Sequence, residues 1–194
     1  MGIYLVSVGV REWLDGDGDE DEGGRGAVAS ALGEELERRR LPRYEPVRED
    51  EPGAWFEEKL IPPMDGFAAL CRAHLTPRGQ ETLGEWSVLV PVSLEEEIHL
   101  PIGSAYTDTT VIAGAPQVLA LARRLADVIG LPPEVPQEPG NLGLTFWFLE
   151  GQAKELAAAR PGPWSEDLDA AFYVAVYLRA AEHSLRRGCP MTYS

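Results

Sequence analysis

Apolar positions fall into short runs separated by prolines, glycines and charged stretches. Ile3 to Val10 is a β-branched apolar run and predicts a first strand. From Gly26 to Arg40, Val28, Leu32 and Leu36 recur at i, i+4 and i+8, which predicts a helix with one buried face. Arg38-Arg39-Arg40 fall in its last turn, where cations suit the negative end of the helix dipole, and Pro42 blocks continuation. Arg43 to Pro52 is polar connecting chain. Ala54 to Leu60, with Trp55, Phe56 and Leu60, predicts a short helical piece.

Asp65 is the expected N-cap of a helix over Gly66 to Leu75, with Phe67, Leu70, Cys71 and His74 on one face. Thr76-Pro77 restarts a helix that ends near Gly84. Trp86 to Leu94 is the strongest strand pattern, with Pro91 marking an edge, a bulge or a strand end. Ala105 to Ala113 predicts a further strand. Ala115 to Ile129 then carries a helical stripe of Leu119, Ala122, Leu125, Ala126 and Ile129.

The proline-rich stretch from Leu131 to Gly140 is a loop. Leu144 to Leu149 predicts a strand and Gln152 to Arg160 a helix. After Pro161-Gly162-Pro163, Ser165 is placed as the cap of the longest helix, running to about Arg187. Its stretch Ala170 to Leu178 has no charge, which predicts a central helix covered on most sides. Cys189 to Tyr193 closes the chain as a short strand. No regular βαβ alternation is present. The expected fold is α+β (irregular mixed α/β), a sheet of about four to five strands packed by about six helices around the C-terminal one. One domain over residues 1–194 is expected.

Charge changes the picture. Asp15, Asp17, Asp19, Glu20, Asp21 and Glu22 put six carboxylates in eight residues, and the chain carries 17 basic against 32 acidic residues, a net charge of -15. Ionised carboxylates need water, a cation or a basic partner, so the stretch 15–24 is expected to be a solvated, flexible loop. The balance excludes nucleic acid and anionic membrane surfaces as partners. Nearly all cations are arginine, with only Lys59 and Lys154 as lysines; together with frequent Ala, Gly and Pro this predicts a GC-rich bacterial coding sequence. Two cysteines and the lack of a leader pattern predict a cytoplasmic protein without a disulfide framework.

The acidic run does not satisfy a calcium loop. Read from Asp15, the sixth position is Glu20 instead of Gly and the twelfth is Gly26 instead of Glu; the register from Asp17 fails as well. Gly23-Gly24-Arg25-Gly26 precedes a helix, but the carboxylates beside it repel a phosphate. Cys71 and His74 are spaced to share a helix face, yet no second pair completes a metal site, and a buried thiol is the plainer reading. No metal and no cofactor is expected.

His99 stands beside Glu97, and a hairpin through Pro101 to Ser104 brings Asp108 near, with Tyr106 and Thr110 on the face of Asp108. That grouping is a candidate acid–base site; a solvated acidic turn before a polar edge strand is the plainer reading. Walker, dinucleotide-binding, zinc-protease and nucleophile-elbow signatures are missing. Trp147 and Trp164 are expected as core and loop anchors. Two functions follow as expectations. The first is an acidic accessory protein engaging a basic protein partner, as an immunity protein does, with Asp15 to Glu22 as binding residues. The alternative is a small-molecule enzyme using His99, Glu97 and Asp108.

Overall fold

The computed structural model describes residues 2–14, 24–47, 55–103, 108–137 and 140–194. Their strands are β1 (Tyr4–Ser7), β2 (Glu57–Lys59), β3 (Val88–Val90), β4 (Ile98–Leu100), β5 (Thr110–Gly114) and β6 (Met191–Tyr193). They form one mixed sheet in the order β2-β1-β6-β3-β5-β4. Only β3 and β5 run parallel; every other neighbouring pair is antiparallel.

The helices are α1 (Val10–Leu14), α2 (Arg25–Arg38), α3 (Asp65–His74), α4 (Pro77–Gly84), α5 (Ala115–Ile129), α6 (Gly143–Leu149), α7 (Gln152–Ala159), α8 (Pro163–Glu166) and α9 (Leu168–Arg187). Strand alternation sends side chains to opposite faces, and each face builds its own core. Val88, Val90, Ile98, Leu100 and Ile112 pack with Trp13 and with Val28, Leu32 and Leu36, so α1 and α2 cover one face. Leu5, Leu89, Ala113 and Met191 face the other core, which holds the apolar sides of α3, α4, α5, α6 and α9. The fold is thus a mixed α/β arrangement with helices on both sides of the sheet.

At the centre of the larger layer lies α9. Asp167 caps it by accepting from the Ala170 N–H at 2.9 Å, and every residue from Ala170 to Ala181 is buried. Gly188 ends it at φ 63°, a left-handed conformation suited to glycine, and a Cβ there would run into Val47. Uncharged from Ala170 to Leu178, the helix sits where its pattern places it. No helix among the described residues is long and apolar enough to cross a membrane.

Several elements differ from the sequence reading. The first strand stops at Ser7, and Val10–Leu14 turns helical. The segment expected as helical around Ala54 to Leu60 contains β2, because the backbone of Glu57 to Lys59 pairs with Tyr4 to Val6 along the edge of the sheet. Leu144 to Leu149, expected as a strand, is helix α6; Leu144, Trp147 and Phe148 are buried at i, i+3 and i+4, a spacing that a short apolar run does not separate from a strand. Ser165 bonds Gly162 inside α8, leaving Asp167 to cap α9. Met64, not Asp65, holds the N-cap position of α3. The strands read over Trp86 to Leu94 and Ala105 to Ala113 shorten to β3 and β5, and Pro91 marks the end of β3. Residues 105–107 lie outside the described residues.

Candidate functional site

Glu97 and His99 lie at the β4 edge. The Thr82 hydroxyl, carried by α4, donates to the Glu97 carboxylate. Partial burial pushes this carboxyl up, but the Thr82 bond, its own backbone N–H, Arg78 and His99 together outweigh it and hold Glu97 below the usual carboxylate range. His99 pairs with Val111 and is exposed, while Ile98 and Leu100 point to the α2 side of the sheet. Thr110 is buried and donates to the Ile102 carbonyl at 2.9 Å. Asp108 is exposed just before β5. Among the described residues no hydrogen bond joins any two of His99, Glu97 and Asp108. Tyr106, and the run Asp15, Asp17, Asp19, Glu20, Asp21 and Glu22, lie outside the described residues.

The arginine triplet is largely absorbed by the fold. Arg38 and Arg39 both donate to the Glu35 carboxylate, at 2.6–2.7 Å, and those bonds hold Glu35 down at about 2. Arg39 also reaches the Glu96 and Glu97 carbonyls, tying the end of α2 to the approach to β4. Burial pushes the Cys71 thiol up to about 11, so it is neutral, and His74 is exposed. Both cysteines are free and buried. No group of three or more His, Cys, Asp and Glu among the described residues is arranged to hold a metal ion. Trp147 and Trp164 are both buried, with ring centroids 6.4 Å apart.

The outer face of α2 carries a different kind of feature. A groove of about 660 Å³ runs along it, walled by Trp13 and Leu14 of α1 and closed at its far end by Leu41, Arg43 and Tyr44. The floor is low, because Gly26, Ala29, Ser30 and Gly33 present almost no side chain. Glu34 and Glu37 stand exposed along it, one turn apart. Neither makes a side-chain hydrogen bond or ion pair among the described residues. In sequence the groove brackets the acidic run, since Leu14 precedes Asp15 and Gly26 follows Glu22 closely.

Glu34 and Glu37 do not stand out in the sequence because they lie off the Val28–Leu32–Leu36 stripe and look like ordinary solvated acids. The available signal was Gly33, a glycine inside an otherwise good helix. A smaller cavity of about 280 Å³ lies between α3, α8 and the start of α9, lined by Leu70, Ile129 and Trp164. Neither cavity includes His99, Glu97 or Asp108. Compared with protein-family models, with curated proteins and with solved structures, the chain matches none of them.

Proposed function

We propose that this chain is a binding protein that engages a basic protein partner, in the manner of an accessory or toxin-neutralising protein, and that the α1–α2 groove belongs to its contact surface. The observation that carries this reading is the pair Glu34 and Glu37, exposed and unpaired among the described residues, on a groove flanked in sequence by six further carboxylates. An acidic surface of this kind steers a cationic partner by long-range attraction and suppresses anionic competitors.

The test is retention of the basic partner on columns carrying the wild type, Glu34→Gln/Glu37→Gln, or the control Glu81→Gln/Glu85→Gln, on α4 and at its C-cap, across the sheet from the groove. The groove variant is expected to weaken binding roughly tenfold and to elute at lower salt, while the control shifts little. Equal elution of all three columns overturns the role of the groove. If no basic protein is retained even at low salt, the binding reading itself fails. Catalysis by His99 with Glu97 and Asp108 is the second reading, resting on Glu97 and His99 standing two residues apart at the β4 edge. It requires an activity that His99→Ala abolishes with folding intact.

A further inference from the structure

Away from the groove, we infer that the outer edge of β4 is a pairing surface for a second copy of this chain, held shut by Arg39 and by the Glu97 carboxylate. β4 is the last strand of the sheet, so the direction of its backbone decides what it offers. Val111 turns its N–H and C=O towards β3, where they meet the Ser87 hydroxyl at 3.0 Å and the Ser87 N–H at 2.9 Å. Its neighbours Thr110 and Ile112 therefore face β4 and share the ladder bonds with Leu100 and Ile98. His99, opposite Val111, points its N–H and C=O away from the sheet. Among the described residues neither group has a partner.

Open edge groups of this kind are a template for another strand. On both sides of His99 the template is closed. The Glu97 N–H is taken by its own carboxylate, which the Thr82 hydroxyl holds in place. The Glu97 C=O accepts from Arg39 Nη2 at 3.1 Å, and the Glu96 C=O from Arg39 Nη1 at 2.7 Å. Arg39 is itself fixed, its Nε donating to Glu35 at 2.7 Å. Its guanidinium thus stands where a neighbouring strand would run. Beyond His99, Pro101 has no N–H to offer.

Self-complementarity names the partner. A two-fold axis at His99 sets the same residue of a second copy opposite it in antiparallel register. Each His99 N–H then meets the other copy's His99 C=O. Such pairing leaves Ile98 and Leu100 in the core they share with α2. Removing the Glu97 carboxylate releases a further N–H to the same ladder, and removing the Arg39 guanidinium clears its path. The net charge of -15 adds a longer-range repulsion between copies, which salt screens. The acidic turn before β4 and the arginines ending α2 thus share one task, keeping this edge single.

The experiment is sedimentation velocity of the full chain at physiological salt over a wide range of concentration. It compares the wild type with Arg39→Ala/Glu97→Ala, with the same pair plus His99→Pro, and with Arg38→Ala. Arg38 also bonds Glu35 but does not reach the edge, so it serves as the control. The wild type and Arg38→Ala are expected to stay monomeric. Arg39→Ala/Glu97→Ala is expected to dimerise at least about tenfold more tightly than the wild type. Adding His99→Pro, which removes the open N–H, is expected to return the monomer. Circular dichroism checks that each variant is folded. In the wild type, hydrogen exchange read by NMR is expected to find the His99 amide fast and the Ile98 and Leu100 amides protected.

A folded Arg39→Ala/Glu97→Ala variant that stays monomeric overturns the inference, and so does association that survives His99→Pro. A wild type that already dimerises, or a monomer whose His99 amide is protected, overturns it as well. If the double variant fails to fold, Glu97→Val alone takes its place, since valine suits a strand and the Arg39 bonds to backbone remain. The same results then support or overturn it.

Discussion

His183 projects from the penultimate turn of α9 into a site where, among the described residues, its Nε2 finds no hydrogen-bond partner and the Phe56 ring centroid lies 5.5 Å away. Burial, with Arg186 and Arg187 adding to it, depresses its ionisation to about 4 from an ordinary value of 6.5. The unfolded chain therefore binds a proton more readily than the folded one between those two values. Stability from this residue is present above pH 6.5 and is lost as pH falls towards 4, by about 3 kcal/mol at the limit. Urea unfolding at pH 7, 5.5 and 4.5 checks it. His183→Leu, which cannot titrate and suits the Phe56 contact, is expected to lose markedly less stability over that range than the wild type. Parallel losses in the two proteins would assign the acid sensitivity to other groups.

Between elements, the outer edge of β2 is closed by the start of α6. The Glu57 carbonyl accepts from the Leu142 N–H at 2.7 Å, and the Lys59 N–H donates to the Thr145 hydroxyl at 3.0 Å. Glu58, fully buried, accepts from the Leu144 and Thr145 N–H groups, each at 2.8 Å, and from the Thr145 hydroxyl at 2.7 Å. Those donors would otherwise be orphaned at a buried helix end. Burial still outweighs the bonds and pushes the Glu58 carboxyl up, with Glu57 adding to it. With the folded value raised, its favourable contribution is complete below the unfolded value and is lost as pH rises through the folded one. Glu58→Leu, which removes every acceptor, is expected to cost about 3 kcal/mol in thermal or denaturant unfolding. Glu58→Gln keeps one acceptor oxygen, so its loss is smaller and its stability changes less as pH rises above the ordinary carboxylate range. A larger loss for Gln than for Leu would show that the bonds contribute nothing net.

For the whole molecule, 32 acidic residues against 17 basic ones leave nearly half of the carboxylates without a cation even when every basic residue is paired. The ion pairs that form are mostly exposed, such as Arg123–Glu182 and Arg160–Glu134, and pairs of this kind contribute little each. Self-repulsion of the compact state is the larger effect, and salt screens it. Raising NaCl from low to physiological strength is expected to stabilise the fold by about 1 kcal/mol, a rise of roughly 3 °C in Tm by calorimetry. On the proposed reading, salt should weaken binding to a basic partner over the same range. A Tm that falls with salt would mean that attractive pairs outweigh the repulsion.

Local patterns determined α2, α4, α5, α7 and α9 and the closing strand, because each has a long apolar period, a cap or a proline at its end. Thr76, for instance, caps α4 by accepting from the Gly79 N–H, as its place before Pro77 implies. The charge balance was equally open to reading, since it is a sum over residues. The short apolar run Leu144 to Leu149 and the charged β2 were decided by tertiary partners: a strand edge that needed covering and a buried carboxylate that needed donors. Sequence placed Glu97 and His99 two residues apart, but the tertiary fold gave Glu97 its hydroxyl partner on α4. The groove has the same origin. Trp13 of α1, Gly33 and Glu37 of α2, and Tyr44 beyond α2 come from three segments, and a concave surface exists only once packing sets those segments side by side.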